Sequence, residues 1–206
     1  MSNIDLSIGI ITYPPRLEVA KKLQKEIGGN VLLFNDEECK GIRWAHLEAW
    51  KMMFNTGSDW LCLLQDDAII ANNFREKLVN RIIEAESKSF RFFQLFNFHE
   101  PSDEFWESRW EIFPSSTFMC DLGNVAKFDV LRKLINFYET NYNDPKFNER
   151  SCDDIIARFL TANKIKGVAT VPNLIDHDIG IKSSKNTPAK IGFTVRASKS
   201  FSKDGF

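Results

Sequence analysis

Apolar runs and apolar positions at helical spacing alternate along the first part of the chain. Residues 7–12, 30–34 and 60–64 are short and mostly apolar, as expected of strands that are buried on both faces of a parallel sheet. Between them, residues 17–27 and 44–54 carry apolar side chains every three or four positions, which predicts two helices. This β-α-β-α-β order predicts the nucleotide-binding half of an α/β fold.

The rest of the chain continues the alternation with less regularity. The pattern predicts, in order, a helix at 72–86, an aromatic-rich strand at 90–98, a loop at 99–116, a strand at 118–120, a helix from Val125 to Tyr138, a polar loop at 141–150 and a strand at 167–171. Ser151 is the predicted N-cap of a further helix, which places Asp153 and Asp154 in its first turn.

Composition indicates one main core and a protein of the cytoplasm. A chain of 206 residues with 43% hydrophobic content can bury one substantial core. The four cysteines form no C-x-x-C pair, which favours free thiols in a reducing compartment over disulfides or a zinc site. No apolar run approaches the ~20 residues that span a bilayer, and the start of the chain lacks a basic leader.

Charge is unevenly distributed along the chain. The formal net charge is −1, so no global field attracts a polyanion, but six Lys or Arg residues and one Asp follow position 180. We therefore expect a catalytic domain over residues 1–180 and a basic tail over residues 181–206.

Two adjacent carboxylates, Asp66 and Asp67, close the predicted strand at 60–64. Ligands of open α/β sheets bind at the carboxyl ends of the strands, and Mg²⁺ and Mn²⁺ prefer carboxylate oxygens. An Asp-Asp pair can also simply turn the chain. The residues on both sides of the pair are apolar, which favours a position at the edge of the hydrophobic core over a solvated turn. Charge without a function is costly at the edge of a core.

Three further segments carry candidate chemistry. Asp153 and Asp154 can supply a general base, although acids in a first helical turn are also common capping residues. His177 lies between two acids just beyond a predicted strand, an ordinary metal-ligand environment, or it is a surface histidine in a polar turn. His46, on the face of an aromatic helix, is expected to be a satisfied core residue.

The segment that follows the first predicted strand can bind a phosphate group. Thr12 begins the turn, and Arg16 can add a bidentate phosphate contact or be a solvated arginine. The chain has no Gly-x-Gly-x-x-Gly and no Walker lysine motif, which disfavours dinucleotide oxidoreductases and ordinary NTPases.

Four segments taken together resemble the GT-A glycosyltransferases, most nearly the lipooligosaccharide and procollagen galactosyltransferases. Gly41-Ile-Arg-Trp-Ala-His-Leu-Glu-Ala-Trp50 is similar to that family's Gly-x-x-x-Ser-His-x-x-x-Trp helix, and Leu63-Leu-Gln-Asp-Asp-Ala68 is similar to its Leu-x-Glu-Asp-Asp-Ala strand end. Ser151-Cys-Asp-Asp154 resembles the place where inverting members carry an acidic general base. Residues 171–184 are similar to a Pro-x-Leu-x-x-His-x-Gly-x-x-Ser-Ser segment. The resemblance implies a single-domain, Rossmann-like α/β fold with a mostly parallel sheet flanked by helices.

The resemblance also implies roles for individual residues. It implies a metal-dependent transfer from a nucleotide sugar, with a UDP-sugar as donor, Mn²⁺ or Mg²⁺ as cation and inversion at the sugar carbon. In it Asp67 and His177 bind the metal, Asp66 touches the ribose or the metal, and Asp153 or Asp154 deprotonates the acceptor. Thr12, Arg16, Asp36 and Trp44 frame the nucleotide. Gln65 and Ala45 depart from the family pattern, in which an acid and a serine stand at these positions.

The acceptor and two other functional classes stay open on the sequence. The basic tail, with interleaved Phe193, Phe201 and Phe206, suits a polyanion such as phage DNA with hydroxymethylated bases, and Trp106 and Trp110 can stack a flipped base. A host-cell cytoplasmic location would then follow. A lipooligosaccharide or another glycan is the alternative acceptor. The Asp pair also suits a metal-dependent phosphohydrolase or nuclease, or a non-catalytic nucleotide-binding module.

Overall fold

The computed structural model describes residues 4–97, 101–117, 121–144 and 152–178, together with 201 and 203. The strands are β1 (Leu6–Thr12), β2 (Val31–Asn35), β3 (Trp60–Gln65), β4 (Ala68–Ile70), β5 (Phe92–Gln94), β6 (Trp110–Phe113), β7 (Gly123–Lys127), β8 (Gly167–Thr170) and β9 (Ile175–His177). The helices are α1 (Leu17–Ile27), α2 (Ile42–Phe54), α3 (Phe74–Ser87), α4 (Asp103–Ser108), α5 (Phe128–Asn141) and α6 (Cys152–Ala162).

Seven strands form the central sheet, in the order β2-β1-β3-β7-β5-β8-β6. The predicted first half is confirmed, because β1 pairs in parallel with both β2 and β3. β7 runs antiparallel to its neighbours β3 and β5, and β6 runs antiparallel to β8 at the edge. The sheet is therefore mixed, and its parallel part brings the carboxyl ends of β1, β2 and β3 to one edge.

Helices cover both faces of the sheet. α1 and α3 bury Ala20, Leu23, Phe74 and Leu78 on one face, and α2, α5 and α6 bury their apolar sides on the other. Each helix has apolar residues every three or four positions, so that one apolar stripe along the helix packs against the sheet. No helix within the described ranges is long and apolar enough to cross a membrane.

The middle of the chain differs from the sequence prediction. Val125 belongs to β7 rather than to a helix, and it pairs with Cys62 and Phe93 in the centre of the sheet. The predicted loop at 99–116 contains α4 and β6. The apolar spacing from Val125 to Phe128 crosses a strand-to-helix junction, so helical periodicity alone placed the helix start too early. The predicted strand at 118–120 and the N-cap Ser151 lie outside the described residues.

A separate two-stranded sheet brings distant residues to the end of β3. β4 follows the acidic pair directly and pairs antiparallel with β9, so that Ala68 lies opposite His177. The backbone N–H of Asp178 also donates to the carbonyl oxygen of Asp67 at 2.8 Å. His177, more than 100 residues away in sequence, therefore lies beside Asp67.

Gly123→Ala is expected to destabilise the protein by roughly 1–3 kcal/mol because the core has no room for a methyl group there. A Cβ at this position would lie 2.4 Å from Ile175 Cδ1 and 2.9 Å from Leu64 Cδ2, both in buried side chains. Urea unfolding followed by circular dichroism measures the loss.

The double variant Gly123→Ala/Ile175→Val provides the control. Ile175→Val removes the nearest clashing atom and alone costs about 0.5–1.5 kcal/mol. The double variant should therefore be more stable than the sum of the two single losses, since contacting sites are not additive. Strict additivity would show that the clash is not what destabilises the alanine variant.

Candidate functional site

A cavity of about 340 Å³ opens at the carboxyl ends of β1, β2 and β3. It is lined by Ile11, Thr12, Tyr13, Arg16, Asp36, Cys39, Gly41, Ile42, Ala45, Gln65 and Asp66. Clefts at this position, where successive parallel strands end, are where α/β sheets bind ligands. The sequence placed Thr12, Arg16, Asp36 and Asp66 at a nucleotide site, and the structure brings these four together.

Arg16 holds the acidic pair together. Its Nη1 donates to Asp66 Oδ1 at 2.7 Å and to Asp67 Oδ2 at 3.0 Å, and Thr12 Oγ1 donates to Asp66 Oδ2 at 2.7 Å. All three charged residues are buried, with exposures of 4–8%. Burial raises the pKa of the Asp66 carboxyl, and the hydrogen bonds from Arg16 and Thr12 oppose that effect. Asp66 therefore uses both oxygens to position neighbouring side chains.

Asp67 and His177 present atoms suited to a divalent cation. His177 Nε2 lies 3.6 Å from Asp67 Oδ2. Asp67 Oδ1 and His177 Nδ1 are both buried and have no hydrogen-bond partner among the described residues. A carboxylate oxygen and an imidazole nitrogen are ordinary ligands of Mn²⁺, so the residues present fit the implied cation. Asp66 is less available to it than Asp67, because Arg16 and Thr12 occupy its oxygens.

Asp36 orders the loop that follows β2. The backbone N–H groups of Lys40 and Gly41 donate to its two oxygens, each at 3.0 Å. A carboxylate has about four acceptor positions, so Asp36 can accept further hydrogen bonds from a ligand in the cavity. Gly41 has a φ of 104°, a left-handed value that glycine adopts without strain.

The aromatic residues near the cavity differ in their exposure to it. Trp44 packs against Phe34 at 5.7 Å between ring centroids, and the ammonium of Lys40 lies 4.6 Å from its ring. Tyr13, which the sequence did not single out, lines the cavity instead and lies 5.6 Å from the Arg16 guanidinium. Its position between β1 and two prolines is the signal that would have marked it.

Trp110 cannot stack a flipped base. It is 2% exposed and packs edge-on against Phe93 at 5.2 Å. It lies on β6, at the opposite edge of the sheet from the cavity. The expectation that it contacts an acceptor is therefore wrong, because burial of its indole in the core removes it from solvent.

A second polar cluster lies inside the protein next to the cavity. His46 follows the cavity residue Ala45, and its Nε2 lies 3.4 Å from Asp121 Oδ2. Cys152 and Asp153, at the start of α6, complete the cluster. Burial and the adjacent Asp121 carboxyl raise the pKa of Asp153 to about 9. His46 is buried as predicted, but neither ring nitrogen is hydrogen-bonded to any described residue, so the expectation of a satisfied histidine is wrong.

Asp154 faces a different environment from Asp153. Both lie in the first turn of α6, as the sequence predicted. Asp154 Oδ2 pairs with Arg158 Nε at 3.3 Å, and its side chain is 33% exposed. The basic residues 182–199 and His99 lie outside the described residues.

Comparison with solved structures finds fold neighbours at low sequence identity. A glycosyltransferase involved in the glycosylation of the major capsid of PBCV-1 aligns with a TM-score of 0.55 and 13% identity, over 85% of this chain and 94% of that chain. A197 from STIV gives 0.44 and 11%, over 82% and 85%. A Bacillus anthracis protein described as a glucose-1-phosphate thymidylyltransferase, solved with sucrose, gives 0.46 and 14%, over 79% and 67%.

No protein-family model matches the chain, and no curated protein sequence is significantly similar to it. The fold class is nevertheless defined. The mixed, mostly parallel seven-stranded sheet with helices on both faces and the glycosyltransferase neighbour together identify a single GT-A-like α/β domain.

Proposed function

We propose that the protein is a glycosyltransferase that moves a sugar from a nucleotide sugar, with a UDP-sugar as donor, to a hydroxyl acceptor. The observation that carries the proposal is the cavity at the ends of β1–β3, with the Arg16-bridged acidic pair at its edge. Tyr13 offers an aromatic face to the base, Asp36 an acceptor for ribose hydroxyls and Thr12 a hydroxyl at the turn.

A divalent cation held by Asp67 and His177 belongs to the proposal. Their unpartnered buried atoms support it. Mn²⁺ or Mg²⁺ supplies charge neutralisation for the leaving diphosphate when bound. Arg16 holds the carboxylates in place, and its positive charge lies close to where the diphosphate is expected.

Asp154 is the proposed general base. Asp153 points into the buried cluster beside Asp121, where an acceptor hydroxyl has little access. Asp154 is one-third exposed at the amino end of α6 and pairs with Arg158. Direct attack by the activated hydroxyl inverts the sugar carbon.

Asp67→Asn is expected to remove the metal-dependent part of donor binding. UDP-sugar at about 100 times its dissociation constant stabilises the native state by about 2.7 kcal/mol, and for a chain of this size that raises Tm by roughly 5–10 °C. In the parent protein the shift should grow when Mn²⁺ is added. In the variant the increment should disappear, because the amide is a weak ligand for the cation.

Asp59→Asn is the matched control, since Asp59 is exposed and precedes the opposite end of β3. It should keep the full shift. If no nucleotide sugar raises Tm in the parent protein, or if Asp67→Asn retains the Mn²⁺ increment, the proposed donor site is incorrect. Transfer of the sugar, and not nucleotide binding alone, separates a transferase from a nucleotide-binding module.

The acceptor is proposed to be a hydroxylated base in DNA, and a glycan is the second candidate. The basic composition of residues 181–206 supports DNA. Transfer of radiolabelled sugar to hydroxymethylated DNA, unmodified DNA, lipooligosaccharide and a glycosylated capsid-type protein distinguishes the acceptors. Labelling of unmodified DNA or release of free phosphate would instead indicate a different reaction.

A further inference from the structure

The buried polar cluster next to the cavity contains three different metal-ligating atom types. One ligand atom each from His46, Asp121 and Cys152 lies within 4.8 Å of the other two. His46 is 1% exposed, and both of its ring nitrogens are without a hydrogen-bond partner in the described part of the chain. A buried polar group left unpartnered costs about 1–3 kcal/mol, so a further partner is expected at this position.

We propose that His46, Asp121 and Cys152 bind a zinc ion that joins α2 to the start of α6. Imidazole nitrogen, thiolate sulfur and carboxylate oxygen are the ligand atoms that zinc uses in proteins. Ligands about 2.0–2.3 Å from one tetrahedral ion lie roughly 3.3–3.8 Å from each other. The 3.4 Å between His46 Nε2 and Asp121 Oδ2 meets this spacing, and the third ligand atom, from Cys152, lies within 4.8 Å of both.

Asp153 borders this arrangement and is not one of its three ligands. Its Oδ1 is buried and has no hydrogen-bond partner within the described residues, and its carboxyl group contacts that of Asp121. Two adjacent, partly buried carboxyl groups repel each other when both are ionised, and a doubly charged cation lowers that repulsion. The three protein ligands leave the fourth position of a tetrahedral zinc ion to a further group.

The zinc site is chemically distinct from the cation site of the proposed transfer reaction. Asp67 and His177 offer an oxygen and a nitrogen atom as ligands, which suit Mn²⁺ or Mg²⁺. The thiolate of Cys152 favours a softer ion. The sequence disfavoured zinc because no two cysteines lie close together along the chain. A site with one cysteine, assembled from three separate segments, leaves no such spacing.

Cobalt substitution tests the proposal without requiring any enzymatic activity. The full chain carrying Cys39→Ser, which removes the exposed thiol, is stripped with EDTA and titrated with Co²⁺. We expect one equivalent to produce the near-ultraviolet absorption of a cobalt–thiolate bond, and Zn²⁺ to displace it. Cys152→Ser should abolish the band. His46→Ala should weaken Zn²⁺ binding by more than the roughly 10–100-fold that loss of an outer-shell contact costs.

His177→Ala is the control, because it alters only the Asp67 cation site and should keep the cobalt–thiolate band. X-ray absorption at the zinc edge of the unmutated protein provides a measurement that needs no variant, and it should show one sulfur at about 2.3 Å. Absence of the band, its persistence in Cys152→Ser or a zinc shell without sulfur would overturn the proposal. The donor-binding result at Asp67 would stand in each case.

Discussion

Asp154→Asn is expected to lower the rate of sugar transfer by about 10²- to 10⁴-fold while leaving donor binding unchanged. General base catalysis contributes a factor of this size, and an amide cannot accept the proton of the attacking hydroxyl. The expectation rests on the proposed transferase function. Single-turnover transfer measures the chemical step, and the Tm shift with UDP-sugar and Mn²⁺ measures donor binding separately.

Asp129→Asn is the matched control for this variant. Asp129 also lies in the first turn of a helix, α5, and also pairs with an arginine, Arg91. Each substitution removes one exposed ion pair and one favourable dipole contact, together worth no more than about 1–2 kcal/mol of stability. Asp129→Asn should keep full activity. Loss of transfer in Asp153→Asn, with Asp154→Asn still active, would assign the base to Asp153 instead.

The parallel part of the sheet could be predicted because its signals are local. β1, β2 and β3 are continuous apolar runs, each separated from the next by a helix with apolar residues at regular spacing. β7 could not be predicted in the same way. It lies in the middle of the sheet, but its five residues are followed by α5 without an intervening turn residue, so the two elements merge into one apolar pattern.

The acidic pair could be predicted because two charges after an apolar strand are unusual in sequence alone. The ion pairs of Arg16 with these two carboxylates could not be predicted. The guanidinium contacts Asp66 and Asp67 across about 50 residues, and only the pairing of β1 with β3 brings these groups together. The His46, Asp121 and Cys152 cluster was missed for the same reason, since its members come from α2, the loop before β7 and α6, which are remote in sequence.

The charges around Gln65 explain why a neutral residue is favourable at this position. Asp66 and Asp67 carry two negative charges, Arg16 one positive charge, and a divalent cation would add two. With the neutral Gln65 the site then has a net charge of +1, which attracts a diphosphate. An acid at this position, as in the family that the chain resembles, would bring the net charge to zero. In the proposed transfer reaction, Gln65 would therefore weaken cation binding and strengthen the attraction of the leaving diphosphate.

Arg16→Met is expected to destabilise the protein by about 3–5 kcal/mol, because it leaves the Asp66 and Asp67 carboxylates buried without their shared cation. Arg16 is 8% exposed, and the two carboxylates are 4% and 5% exposed, so water from the cavity replaces the guanidinium only in part. Methionine keeps much of the side-chain volume, so the loss reports the charge rather than a cavity. Chemical unfolding in the absence of divalent cations measures it, and added Mn²⁺ should restore part of the stability by neutralising Asp67.

Two comparisons separate this electrostatic effect from general damage. Arg91→Met removes an ion pair whose side chains are 49% and 32% exposed, and it should cost no more than about 1 kcal/mol. Adding Asp66→Asn and Asp67→Asn to Arg16→Met removes the unpaired charges and should recover part of the loss, because the three groups form one coupled unit. Equal losses for Arg16→Met and Arg91→Met, or no recovery in the triple variant, would show that Arg16 does not act by holding the acidic pair.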